Sequence, residues 1–468
     1  MITIDYDTSY RKGRLIADDD ILSMIRNHFS VAKAGIFFAK KRNKNIPTRD
    51  YAIQASGMFD FGMYNEIRKY LIESQITEIT YTEAFANRIK VGFDAVELST
   101  DLVYELRDYQ AESLEKAFKR GQGTIVVATG GGKSLIQANL LETYKNVVKS
   151  DFKCILIVPG LSLVSQLVKD FEEYGCSFTY SGWVGGSEPE DVQVIIVNSE
   201  NFCSQFGNYK NLSEVDLVLV DECHKIKHGN KLTKLIHKIK TPNKFGFTGT
   251  LPKTDIDIWK VIGTFGPVIY EKKSKDLRDA GYLTNVVIKC IKLVHPNVGK
   301  MDYQNELKYL HNSEPRSSVI SKIVQKLDNN VLILVNRIEH GQYLEGWLAT
   351  EGKVVCFISG EMPVDERTAI IARMETETNL VVIAMSSIFS TGINVKNLPY
   401  IMFVDGGKSF IRTIQSIGRG LRLHKFKKLL VIFDIYDTLN YSTEHSERRQ
   451  EFYDDEDIKY TETEITIQ

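Results

Sequence analysis

From about residue 98 to 280, short runs of aliphatic and β-branched residues alternate with longer amphipathic stretches. The runs are TIVVAT, KCILIVP, VQVIIVNS, DLVLVDE and KFGFTGT. They show little in–out alternation, as parallel strands covered on both faces do. The same texture returns from about 285 to 440 in NVLILVN, KVVCFIS, NLVVIAMS, YIMFVD and KLLVIFD. Residues 1 to about 97 mix strand-like runs with one helical pattern near MYNEIRKYLIES. The pattern predicts two consecutive α/β blocks behind a smaller α+β leader, with boundaries at 1–97, 98–280 and 281–468. From Glu444 to Glu464 the chain is mostly acidic, which reads as a solvated helix or frayed tail, or else as an autoinhibitory or partner-binding tail.

Composition narrows the class. The 468 residues are 43% hydrophobic and 25% charged, the balance of a globular protein with several cores. No apolar run approaches the roughly 18 residues of a membrane span, and the opening MITIDYDTSY does not read as a secretory signal. Net charge is −1, so an anionic polymer would have to be met by local clusters rather than by bulk charge. The six cysteines are scattered without a CxxC pair, which argues against zinc ribbons and a disulfide framework and fits a reducing, cytoplasmic setting.

The stretch VVATGGGKSL, residues 126–135, carries the first chemistry. A strand ends at Ala128 and a helix is predicted to start near Gly132. Between them Thr129, Gly130, Gly131 and Gly132 let backbone N–H groups point inward, making an anion cradle at a helix N-terminus. Lys133 can then reach the outer phosphates of a nucleotide and Ser134 can ligate Mg²⁺. Ala128 replaces the first glycine of the usual G-x-x-x-x-G-K-[ST] pattern, a mild departure at a position that needs a small residue. About ninety residues later, VDLVLVDECHK sets Asp221 and Glu222 at the end of an apolar strand, where open parallel sheets bind ligands. Asp221 is placed to hold Mg²⁺ through water, and Glu222 to polarise an attacking water. In QSIGRGLR, Gln415, Arg419 and Arg422 share one helix face, and a planar guanidinium suits a transferring phosphate.

ATGGGKS, DECH, FTGT, FSTGINVKNLP and QSIGRGLR occur in the order seen in superfamily 2 DExH-box helicases, and the resemblance covers about residues 100 to 435. It implies two tandem RecA-like parallel-sheet motor domains, with ATP and Mg²⁺ held by the first and arginine fingers, Arg419 and Arg422, supplied by the second. It further implies that Arg107 and Gln110 of LRDYQ contact adenine and that Gly392 adjoins the nucleotide. His224, Thr248, Thr250 and Gln415 would couple hydrolysis to movement. Ser162, Gln166, Asn198, Ser199, Asn336, Arg337, Thr391 and Asn394 would contact nucleic acid. In the leader, FFAKKRNKNIPTR concentrates Lys40, Lys41 and Arg42, which suits phosphate contacts and would serve equally as a solvated loop.

The layout as a whole resembles the phage branch-migration helicases of the UvsW type, well over the motor and less closely in the leader. That likeness implies a small duplex-binding N-terminal domain. It also implies work on branched DNA (Holliday junctions, forks and R-loops) in recombination, replication and repair, by a monomer on its substrate in the host cytoplasm. Two other readings stay open: an RNA or RNA–DNA helicase, and the motor of a restriction-type complex.

Overall fold

A computed structural model describes residues 1–33, 48–93, 96–185, 188–209, 214–349, 353–389, 398–405, 429–455 and 457–468. The chain forms two compact units. One is Met1–Ala128 with Gly132–Lys272, and the other is Lys273–Gln468 with Thr129–Gly131.

The leader opens with β1 (Ile2–Asp7) and β2 (Lys12–Ile16), continues through β3 (Ser30–Ala32), β4 (Arg49–Tyr51) and β5 (Met58–Phe59), and reaches β6 (Ile79–Tyr81). The sheet order is β5-β2-β1-β6, with β3 and β4 pairing separately. The expected helix is present as Tyr64–Glu73, and Ile67 and Leu71 on it enter a core with Ile2, Ile4 and Phe59.

In the first α/β block, β7 (Gly123–Val127), β8 (Cys154–Val158), β9 (Tyr180–Trp183), β10 (Val194–Asn198), β11 (Leu217–Val220), β12 (Lys244–Thr248) and β13 (Val268–Lys272) form one sheet. Its spatial order is β13-β7-β12-β11-β8-β10-β9 and every pairing is parallel. β7, β8, β10, β11 and β12 are buried along their whole length, which is why their sequences carry no alternation.

The leader is built onto this block. Trp259, from the helix Asp255–Phe265, packs against the leader core, its ring 5.2 Å from that of Phe29. Gly62 approaches the same helix so closely that a Cβ there would meet the Ile262 carbonyl oxygen at 2.0 Å. Asp60, 8% exposed at its side chain, pairs with Lys260, with Lys12 at 3.4 Å and with His237 at 3.6 Å. Burial alone would push this carboxyl up, but His237, Lys260 and Lys12 hold it well below the usual range.

The second unit repeats the plan with β14 (Asn285–Val294), β15 (Val331–Val335), β16 (Val354–Ile358), β17 (Leu380–Met385), β18 (Tyr400–Phe403), β19 (Leu429–Asp437) and β20 (Tyr460–Thr466). The order is β16-β17-β15-β18-β19-β14-β20, again all parallel. The described residues thus form two seven-stranded parallel sheets flanked by helices, the tandem RecA-like architecture.

Of the two readings of the acidic end, the helix is present and the frayed tail is not. Residues Asn440–Asp455 are a helix, and Tyr460–Thr466 pairs with β14 as the sheet's edge strand. Buried Arg449 and Tyr453 turn inward, donating to the Asp434 carboxylate at 2.9 and 2.8 Å. Glu306 accepts from the backbone N–H groups of Tyr441 and Ser442 and so caps the helix start. The exposed, charged edge strand discourages further pairing.

Candidate functional site

In a parallel sheet every strand ends on the same edge, so the loops after β7, β12, β11, β8 and β10 lie side by side. Those loops carry, in the same order, Thr129–Ser134, Thr248–Thr250, Asp221–His224, the start of the helix Leu161–Tyr174, and Asn198–Ser199. The separation of about 120 residues between Thr129 and Thr250 is undone by the strand order.

The loop after β7 has the backbone its glycines allow. Gly130 has φ +84° and Gly132 φ +75°, the left-handed region that a Cβ disfavours. The helix Lys133–Thr143 begins directly afterwards. A Cβ on Gly132 would lie 2.6 Å from the Gln110 Nε2 atom. Gln110 is buried, and its Oε1 accepts from the Arg107 backbone N–H at 2.9 Å. Arg107 in turn donates from Nη1 to the Tyr109 hydroxyl at 3.1 Å. The two residues expected near adenine are therefore locked together, and one of them abuts the cradle. The Lys133 ammonium donates to the Val127 carbonyl at 3.2 Å, lying across the loop it would serve. Ser134 shares a hydrogen bond of 2.8 Å with the Tyr174 hydroxyl, a partner that no local pattern announces.

Asp221 extends the β11 ladder by donating its N–H to the Ile157 carbonyl, and Glu222 then turns sharply at φ +49°, a strained setting for a non-glycine residue. Cys223 points inward, its thiol pushed well up by burial and by Glu222 and Asp221, so it stays neutral. The strand opposite needs glycine there: a Cβ on Gly246 would lie 2.8 Å from the Cys223 sulfur. His224 Nδ1 lies 2.8 Å from Thr248 Oγ1 and 3.2 Å from Glu222 Oε2. Thr248 spends its own hydroxyl hydrogen on the Thr250 carbonyl at 2.8 Å, so it accepts from His224 and the imidazole proton sits on Nδ1. Glu222, His224, Thr248 and Thr250 thus form one chain of contacts linking the strand end of β11 to that of β12.

Ser162 is exposed and Gln166 half-buried on the helix after β8, while Asn198 is buried at the end of β10 with Ser199 half-buried beside it. In the second unit Asn336 and exposed Arg337 follow β15, and the Asn336 N–H donates to Asp405 Oδ2 at 2.5 Å. Lys40, Lys41, Arg42, Thr391, Gly392, Asn394, Gln415, Arg419 and Arg422 lie outside the described residues. Among the described residues no helix is long and apolar enough to cross a membrane. Sequence reasoning missed Tyr174, Asp60 and Asp405, each defined by a partner far away in the chain.

Residues 103–253 match the family of the type III restriction enzyme res subunit, and residues 316–424 match the helicase conserved C-terminal domain. The chain is 26% identical over 497 aligned positions to the ATP-dependent DNA helicase uvsW of Enterobacteria phage T4, covering 96% of each protein. The crystal structure of T4 UvsW covers 99% of each chain at 23% identity with a TM-score of 0.47. A fragment of a putative HsdR subunit of a type I restriction enzyme from Vibrio vulnificus is similar in fold, with a TM-score of 0.59 at 15% identity over 78% of this chain and 70% of that one.

Proposed function

The chain is a superfamily 2 DExH-box helicase, a nucleic-acid-dependent ATPase, and from that premise we propose that it spends ATP to remodel branched DNA. The observation that carries this reading is the contact chain from Glu222 through His224 to Thr248 and Thr250 beside the glycine cradle. A change at the γ-phosphate side of Glu222 is felt at β12 without passing through solvent.

In this reading the loop N–H groups of 129–134 and Lys133 hold the phosphates of ATP, and Gln110 with Arg107 holds the base. The half-buried Ser134 hydroxyl and Asp221 carboxylate are oxygen donors suited to Mg²⁺, which supplies charge neutralisation at the transferring phosphate. Glu222 takes the proton of the attacking water, and the His224 ring, 3.2 Å from its Oε2, packs beside that carboxylate. Arg419 and Arg422 serve as fingers on the developing charge, and Gln415 accompanies them. Ser162, Gln166, Asn198 and Ser199 of the first unit and Asn336, Arg337, Thr391 and Asn394 of the second contact nucleic acid in this reading, with Lys40, Lys41 and Arg42 adding phosphate contacts from the leader. The likeness to the phage DNA helicase along nearly the whole chain supports DNA over RNA.

The test is ATP turnover stimulated by Holliday junctions, forks, R-loops, linear DNA duplex and RNA duplex. Branched DNA is expected to stimulate most. Lys133→Ala should abolish turnover, and Glu222→Gln should bind ATP and hold it. Equal or greater stimulation by RNA duplex would replace the DNA reading, and turnover near wild type in Lys133→Ala would end the assignment of the cradle.

A further inference from the structure

Three side chains converge at the C-terminal edge of the second sheet and have no part in the steps above. Asp405 follows β18, His340 sits in the helix Ile338–Ala349 after β15, and His311 ends the helix Tyr303–His311. His340 Nδ1 lies 2.6 Å and His311 Nε2 3.3 Å from Asp405 Oδ1. The two imidazoles stack with centroids 4.2 Å apart and planes 7° from parallel. One donor atom from each residue falls within 4.8 Å of the other two.

A second observation points the same way. Among the described residues, buried Nε2 of His340 has no hydrogen-bond partner, and the close approaches of His340 Nδ1 and His311 Nε2 to buried Asp405 Oδ1 are charge contacts that miss hydrogen-bonding geometry at His340 Nδ1 and at Oδ1. Asp405 Oδ2 is occupied by the Asn336 N–H, which fixes the carboxylate and leaves Oδ1 facing the imidazoles. Buried polar atoms left in this state are costly unless something else satisfies them. The nearest guanidinium, Arg316, is not a loose cation there. It donates from Nε to Asp437 at 3.1 Å and from Nη2 to the Val404 carbonyl.

We propose that His311, His340 and Asp405 bind a divalent first-row transition ion, Zn²⁺ foremost, with water completing its shell. Two imidazoles and one carboxylate make the donor set that such an ion takes, whereas Mg²⁺ asks for oxygens throughout, so this site is separate from the nucleotide's metal. His311, 14% exposed at its side chain, is the open side through which the ion enters. The three ligands come from three elements. A bound ion therefore ties the loop after β15, with Asn336 and Arg337, to Asp405, where the chain enters the segment bearing Gln415, Arg419 and Arg422.

The experiment uses the full chain stripped with chelator and titrated with Co²⁺ by absorption and with Zn²⁺ by calorimetry. The expected result is saturable uptake of one ion per chain. It should show a weak visible ligand-field band, and no sulfur charge-transfer band from the six free cysteines. Zn²⁺ should also raise the melting temperature. His311→Ala lies at the rim and is expected to fold normally while weakening uptake by at least roughly tenfold, since even outer-shell changes lose 10–100-fold at such sites. His340→Asn should remove uptake altogether. Absence of saturable uptake, a thiolate band, or unchanged affinity in His311→Ala would overturn the site and leave the three residues as an ion-paired cluster.

Discussion

Asp60→Asn is expected to loosen the leader from the first α/β block. The substitution keeps the shape of the side chain and removes its charge. What remains is two ammonium groups, Lys260 and Lys12, and the imidazole of His237, gathered around a neutral amide. Breaking a buried ion pair from one side costs about 3–5 kcal/mol. Lys260 and Lys12 keep 20% and 25% of their side-chain exposure and can swing toward water, which lowers the expected loss to about 2–3 kcal/mol. For a unit of this size each kcal/mol moves the midpoint by about 2–4 °C, so the first unit should melt about 5–10 °C lower. Calorimetry of the full chain near neutral pH reads this directly. The double variant Asp60→Asn/Lys260→Met should recover about half of the loss, because one uncompensated ammonium has gone. A shift under about 1 °C, or no recovery in the double variant, would refute the view that this charge cluster joins leader to motor.

Three further outcomes follow from the same geometry. Gly132→Ala forces a left-handed φ on a residue with a Cβ, at about 1–2 kcal/mol, and drives that Cβ into Gln110; nucleotide affinity measured with a fluorescent analogue should fall, and wild-type affinity would contradict the packing of Gln110 on the cradle. Thr248→Val keeps the volume but deletes the hydroxyl between His224 and Thr250; ATP binding should persist while DNA-stimulated turnover drops roughly tenfold, the equivalent of about 1.4 kcal/mol, and unchanged turnover would remove Thr248 from coupling. Burial, opposed by Asp60 and aided by Lys244, depresses His237 to about 4. The unfolded chain takes that proton near 6.5 and the native protein refuses it until about 4, so stability should fall on acidification across that window. Asp60, whose carboxyl is depressed, adds its own loss only below the unfolded carboxylate value of about 3.9. Melting curves at several pH values should flatten between those limits in His237→Gln, and an unaltered slope would dismiss His237 as the group responsible.

The strands, the glycine cradle and the order of the chemical motifs were legible in the sequence, because each is set by neighbours within a few residues. Runs such as CILIV and VLILV can only be buried strands, and two left-handed glycines before a lysine have one economical use. What the sequence could not supply was adjacency across the sheet. The order β13-β7-β12-β11-β8-β10-β9 sets His224 against Thr248, and Tyr174 reaches Ser134 from the helix that follows β8, forty residues from its partner. The same holds for charge. Glu444 to Glu464 reads as a solvated helix or frayed tail; the helix is there, yet Arg449 is buried on Asp434 and the last residues close the second sheet. Asp60, three times paired, looks from its neighbours in the chain like any surface aspartate. Periodicity reports which face of an element is dry, and only the tertiary fold decides which distant side chain shares that dryness and therefore must answer its charge or hydrogen bond.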